Sequence, residues 1–286
     1  MVKCLLKVFL PVFLFATIAV ADDTPSRYAL PLQLRPISQL TVVRTENISS
    51  YYQDNFTNLT LLTLGYSLHP TLGVGMRLPM IYAEKGGDSV TQFGNPAGWL
   101  IYTPYPNDTF RVSFLLRAAL PLGAGSGDNP SPIVKHANSI AMLSRFSMEN
   151  MLFLPNDFTV LNGITAAYVK GDLTLQVDSA IINNFKWLDS TGDNTRTNST
   201  IGFAAGYYVA ESVSVHGEAL YQHWLSTPKA VQEDESKRFN LSGLVGVRYH
   251  QKTESGWFRP AIAYGRGLVG PISNFSEIRV DFPISF

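Results

Sequence analysis

Five histidines are the first candidates for chemistry near neutral pH: His69, His136, His216, His223 and His250. His216 and Glu218 stand two residues apart, so an extended backbone puts them on one face, where a neighbouring serine would complete an acyl-transfer set. No Gly-x-Ser-x-Gly stretch marks a nucleophile, and a lone strand histidine is more often a polar filler. Paired carboxylates, phosphate-cradling loops, dinucleotide fingerprints and metal-ligand spacings are absent from the sequence. The single cysteine, Cys4, excludes a disulfide framework and a cysteine-based zinc site. The chain therefore reads as a non-enzyme without cofactor or metal. A second set of chemistry-bearing residues is charged and sits at alternate positions of extended segments. It comprises Arg77, Arg111, Arg117, Asp172, Asp178, Glu218, Arg248, Arg259, Glu277, Arg279 and Asp281.

Those charges need elements to hold them, and composition narrows the choice. The 286 residues carry 22 basic and 22 acidic side chains, which argues against nucleic-acid binding. Charged residues make up 15%, below the roughly 25% of soluble domains, and aromatics reach 12%. Residues 1–21 carry Lys3 and Lys7, then an apolar run from Val8 to Val20, then Ala19-Val20-Ala21 before Asp22. This is the pattern of a secretory signal cleaved near Ala21. Its apolar run is shorter than the roughly 20 residues of a spanning helix, and no later stretch reaches that length.

Period-2 alternation dominates the rest. Phe110, Val112, Phe114, Leu116 and Ala118 oppose Arg111, Ser113 and Arg117; Leu173, Leu175 and Val177 oppose Asp172, Thr174, Gln176 and Asp178. Val213, Val215 and Tyr221 oppose Ser214, His216 and Glu218, and Val245, Val247 and Tyr249 oppose Arg248 and His250. Such segments are strands with one apolar and one polar face. A β-sandwich uses strands of roughly 5–6 residues, whereas strands crossing a bilayer need roughly 9–11 or more. Short connections, as at His69-Pro70-Thr71 and Lys170-Gly171-Asp172, alternate with long polar ones at 46–57, 84–90, 122–157, 184–196, 225–237 and 267–274. Outer-membrane barrels have that asymmetry.

The fold class expected is all-β, a transmembrane antiparallel up-and-down barrel. It forms the one domain after the signal segment, residues 22–286, with both termini on the periplasmic side. Strands are expected at 38–45, 58–68, 72–83, 91–103, 109–121, 158–169, 172–183, 197–209, 212–224, 238–250, 256–266 and 275–286, which makes twelve. The span 139–154 either adds two strands, giving fourteen, or forms a helix with Ile140, Leu143 and Phe146 on one face. As part of the long external loop 122–157, it is a candidate for folding into the lumen as a constriction. Apolar faces turned to lipid leave the eleven charges above facing the lumen. There they either shape the field for a solute, with Arg77, Arg111 and Arg117 as a basic stripe favouring anions, or fill the interior as satisfied pairs.

The last strand places Ile278, Val280, Phe282, Ile284 and Phe286 on one face. A final alternating strand ending in Phe resembles the assembly signal of Gram-negative outer-membrane barrels, with Phe282, Ile284 and Phe286 as its residues. Aromatics near strand ends, among them Tyr66, Tyr102, Tyr168, Tyr207, Trp224 and Trp257, suit interfacial girdles. Seven Asn-x-Ser/Thr triplets with x other than proline read as polar loop and lumen positions.

From Leu72 to Gly123 the chain reads LGVGMRLPMIYAE, TQFGNPAGWLIY and FRVSFLLRAALPLGAG. This order resembles outer-membrane proteins of the phenol-degradation meta-pathway type, which implies a barrel for uptake of aromatic or other hydrophobic compounds. The function expected is passive passage of small solutes through the Gram-negative outer membrane, with a lipid-directed hydrolase or a structural or adhesive barrel as alternatives. The partners expected are outer-membrane lipid, the barrel assembly machinery and a small solute, with a monomeric chain and no nucleic acid.

Overall fold

The computed structural model describes residues 27–37, 41–52, 55–104, 107, 109–127, 130–188 and 193–286; the expected signal segment lies outside them. Alternating side chains drive the architecture. Strands β1 (Val42–Tyr52), β2 (Asn55–His69) and β3 (Leu72–Lys85) lead into β4 (Asp88–Phe93) and β5 (Ala97–Tyr102), which form one interrupted stave. Next come β6 (Phe110–Ala119), β7 (Asp157–Lys170), β8 (Leu173–Lys186), β9 (Thr195–Ala210) and β10 (Val213–Trp224). The sheet ends with β11 (Phe239–Tyr249), β12 (Gln251–Thr253), β13 (Gly256–Phe258), β14 (Ala261–Val269) and β15 (Ser276–Ser285). β12 prolongs β11 and β13 precedes β14, so the staves number twelve. Every pairing is antiparallel, and β1 closes on β15 from Val42 opposite Ser285 to Tyr51 opposite Ser276. Closure joins the first stave to the last, and only the short strands β4 and β12 pair on one side alone; lipid requires such closure because it offers no hydrogen bonds.

Each strand shows lipid one parity and the lumen the other. Phe114, Leu116, Ile164, Val245 and Ile262 are exposed on the outside, while Ser113, Arg117, Thr165 and Arg248 are buried inside. A 14-residue strand such as β3 is roughly 46 Å long. Tilted by roughly 40°, it crosses roughly 35 Å, more than the apolar band of roughly 25 Å. The excess explains several corrections. Residues expected in the links 46–57 and 84–90 are largely strand, the second turning at Gly86–Gly87, both with positive φ, and the link 184–196 is strand at 184–186 and 195–196. Their outward polar side chains pair across the ladder, Asn47 to Asn58 at 2.9 Å and Thr197 to Asn183 at 3.0 Å. Polarity there marks strand ends standing above the lipid. The first strand, expected at 38–45, runs 42–52.

The expected stave 91–103 is broken at Gly94-Asn95-Pro96. Asn95 is buried and serves the long connection instead: its amide donates to the Leu154 carbonyl at 2.7 Å and its carbonyl accepts from Gly123 at 2.9 Å. That connection, 120–156, does not add two strands. It holds helix α1 (Pro132–Ala141), then two 3-10 turns at Ser144–Ser147 and Asn150–Phe153. The expected helix face of Ile140, Leu143 and Phe146 is broken because Arg145, Phe146 and Ser147 all have positive φ. Each left-handed non-glycine costs about 1–2 kcal/mol, so contacts must hold this turn. Phe146 packs edge-on to Phe275 and joins Leu32, Leu34, Met148 and Leu244 in one cluster.

Candidate functional site

Two segments enter the barrel from opposite ends and meet inside it. The N-terminal segment, 27–37, enters at the end that carries the termini. Its first amide, Arg27, donates to the Gly171 carbonyl at 2.9 Å, and the Arg27 guanidinium pairs with Asp172. The Tyr28 hydroxyl donates to Gln176 at 2.7 Å, and Ala29 N–H donates to Thr174 at 2.9 Å. At its apex the amides of Leu32, Gln33 and Leu34 all donate to the carboxylate of Glu218. Pro31 and Pro36 carry no N–H, so this stretch cannot join a ladder, and one carboxylate takes three donors instead. Arg248 donates to the carbonyls of Leu30 and Pro31 at 3.1 and 3.2 Å. The segment then returns, and the Ile37 carbonyl accepts from Thr103 at 3.4 Å.

The connection 120–156 enters from the far end. α1 and the turn Asn150–Phe153 lie on inward-facing Ile48, Leu59, Leu61 and Ile81, all fully buried. Beyond that apolar patch the contact becomes ionic. Glu149 accepts from Arg77 and, at 2.7 Å, from Arg117; Arg145 stands 4.0 Å away. Arg145 pairs with Glu46 and donates to the Gln33 carbonyl, and Gln33 Nε2 returns a bond to the Arg145 carbonyl at 3.1 Å. Here the two internal segments touch. Arg279 lies 3.2 Å from Glu46 and pairs with Glu277, whose other oxygen accepts from Arg145 N–H at 3.0 Å. Asp281 accepts from Arg44 at 2.6 Å and Arg248 at 2.8 Å. Arg35 pairs with Asp178 nearby.

In the connected network six guanidiniums (Arg44, Arg77, Arg117, Arg145, Arg248, Arg279) share four carboxylates (Glu46, Glu149, Glu277, Asp281). All ten side chains are at least nine-tenths buried. Removing one member of such a set leaves an uncompensated buried charge. Burial opposes ionisation of Glu149, but the guanidiniums of Arg77, Arg117 and Arg145 outweigh it and hold its carboxyl well below the usual range.

Of the expected lumen residues, Arg77, Arg117, Asp178, Glu218, Arg248, Glu277, Arg279 and Asp281 are buried on inward positions. Arg111 faces inward but lies over the Tyr28 ring at 5.3 Å, with no ion pair among the described residues. Asp172 is a turn residue at the barrel end, not a strand residue, because the β7–β8 turn takes Gly171 and Asp172. Arg259 lies between β13 and β14, its guanidinium 4.9 Å from the Trp257 ring. The basic stripe is corrected in two ways: Glu149 bridges Arg77 and Arg117, and Arg111 stands apart from them. Phe282, Ile284 and Phe286 face outward and are exposed.

The histidine set is also resolved. Ser214 Oγ lies 2.7 Å from Nε2 of both His216 and His250, and His250 Nδ1 lies 3.2 Å from the Tyr208 hydroxyl. Glu218 is occupied by the N-terminal segment, and among the described residues no carboxylate is hydrogen-bonded to His216 or His250. Sequence reasoning missed Arg35, Arg44, Glu46, Arg145 and Glu149. Arg44 and Glu46 fell at the boundary of a strand drawn too early. The others belong to internal segments without periodicity, where face assignments have no meaning.

No family model matches the chain, and no curated protein does. Solved structures do. An outer membrane channel from Pseudomonas putida F1 is 13% identical, with 94% of this chain and 100% of that one covered at a TM-score of 0.58. The NanC porin is 11% identical, covering 85% and 98%, with a TM-score of 0.54. The KdgM porin is also 11% identical, covering 85% and 99%, with a TM-score of 0.51. The fold is that of outer-membrane channel barrels. These neighbours are channels and porins, not enzymes.

Proposed function

We propose that this protein is an outer-membrane channel for passive passage of small solutes, held closed by segment 27–37 and connection 120–156. One observation carries the reading. Glu149, on a connection and not on the wall, is the shared counter-ion of lumen arginines Arg77 and Arg117. A wall built only for rigidity would neutralise its arginines from neighbouring strands. Here the neutralising group is delivered by a segment that can leave. Beneath the ionic half of the connection the wall is polar and charged, as passage of water-borne solutes needs.

In this reading the chain is exported by residues 1–21, cleaved near Ala21 and inserted as a monomer into the Gram-negative outer membrane. Phe282, Ile284 and Phe286 present the assembly machinery with an apolar ridge. The end with the termini is periplasmic, and connection 120–156 enters from outside. The test is single-channel recording of refolded protein in planar bilayers. Rare discrete openings above a closed baseline are expected. A permanently silent protein, shown to be inserted, overturns the channel reading.

A further inference from the structure

Between the N-terminal segment and the wall, near the end with the termini, lies a cavity of about 80 Å³. That is several times the roughly 10–15 Å³ that one water needs, so the cavity admits water and a small solute group. Part of the lining is apolar: Leu30, Val42, Trp99, Ile101 and Leu115. The charged part consists of Arg35, Arg44, Arg77, Arg117 and Arg259, with no carboxylate among the lining side chains. The first four have carboxylate partners set behind them. Arg259 has no acid partner among the described residues, and its Nε is buried without a hydrogen bond, as are those of Arg35 and Arg117. The connected network above already carries two more guanidiniums than carboxylates.

We propose that this cavity is a binding site for a small organic monoanion with a flat apolar body, the chemistry of an aromatic carboxylate. The proposal rests on the reading of the lumen as a solute path and names the solute class. A cation is disfavoured because every charge on the lining is positive. A neutral ring would leave the excess charge and the unpaired Arg259 unanswered. A bare inorganic anion would leave Trp99, Ile101 and Leu115 facing water. A carboxylate on a ring meets both parts: the ring lies against the apolar wall, and the oxygens accept from guanidinium N–H groups.

Calorimetric titration of the refolded full-length protein in micelles tests this, using benzoate, benzyl alcohol and acetate as probes. Saturable benzoate binding is expected, at least tenfold tighter than either of the others. Arg259→Gln lies outside the buried network, so the barrel should keep its thermal unfolding midpoint while benzoate affinity falls at least tenfold; Arg259→Lys should retain part of it. Equal binding of benzoate and benzyl alcohol overturns the anion assignment. Absence of saturable benzoate binding, or full affinity in Arg259→Gln, overturns the site. The measurement needs no membrane, so it separates from the channel reading: a protein silent in bilayers that still binds benzoate loses only the latter.

Discussion

Glu149→Gln removes the carboxylate that Arg77 and Arg117 share, the latter at 2.7 Å. Both arginine side chains are at least nine-tenths buried, so water cannot replace the lost partner. Breaking a buried pair by removing one partner costs about 3–5 kcal/mol. Glutamine keeps one carbonyl acceptor, and Arg145 keeps Glu46, which puts the expected cost near about 3 kcal/mol. The cost falls on the docked state alone, because an undocked connection leaves residue 149 in water. At about 1.36 kcal/mol per tenfold change, docking weakens roughly 160-fold. Single-channel recording should then show the open fraction rising by about two decades. Glu235→Gln, which breaks the pair with Arg238 in the far-end loop where the Glu235 side chain is 71% exposed, should change nothing. An unchanged open fraction, in protein whose barrel closure is verified by heat-shifted gel mobility, would refute the assignment of Glu149 as the latch. Should Glu149→Gln fail to refold, the double variant Arg77→Met/Glu149→Gln lowers the uncompensated charge and poses the same question.

Docking should also respond to acid, with a definite sign. The carboxyl of Glu149 titrates below its ordinary 4.5 when docked, so the docking stability is fully present above pH 4.5 and is lost as pH falls below it. Conductance should therefore stay at its closed baseline from pH 8 to 5 and rise only in stronger acid; opening near pH 6 would contradict this. Hydrogen exchange in Glu149→Gln should divide the connection, with the amides of 143–149 exchanging faster and those of α1 staying protected by their apolar seat. A methyl at Gly267 would lie 1.7 Å from the Ile272 carbonyl oxygen, a backbone atom that cannot swing away. Gly267→Ala should accordingly lower the urea midpoint for unfolding from liposomes, and an unchanged midpoint would disprove that packing. Phe114→Arg places a guanidinium on the lipid side of mid-β6, where roughly 2–4 kcal/mol is lost at the bilayer midplane; a neutral outcome in the same assay would put Phe114 outside the hydrocarbon.

The wall was legible in the sequence, and its contents were not. Alternation has a period of two whatever lies inside, so the faces of Arg117, Asp178, Arg248 and Arg279 follow from counting alone. Parity gives a face but never a partner. Glu218 illustrates the limit: its cross-strand neighbours are Leu244 and Ala204, neither of which can satisfy a carboxylate. Its partners are three amides of residues 32–34, brought there by a segment with no periodicity. Several strands were drawn too short for one reason. Polar residues such as Asn47, Asn55 and Asn184 read as links, yet they belong to strands that continue beyond the lipid.

One signal of the internal segments was present in the sequence. β2 reads LTLLTLG from Leu59, with Leu59 and Leu61 on the lumen parity and Leu62 and Leu64 on the other. Strands that are apolar on both faces are covered on both faces. A water-filled lumen would leave Leu59, Leu61, Ile48 and Ile81 wet, so something of the chain's own had to lie on them. α1 and the turn at Asn150–Phe153 do so. That apolar patch and the arginine network divide the work between them. The patch is non-directional and anchors one half of the connection. The network is directional and strongest only when every partner is present, because a half-satisfied buried network is worse than none. An anchored half and an all-or-none half together make a plug that stays attached to the barrel when its ionic half releases.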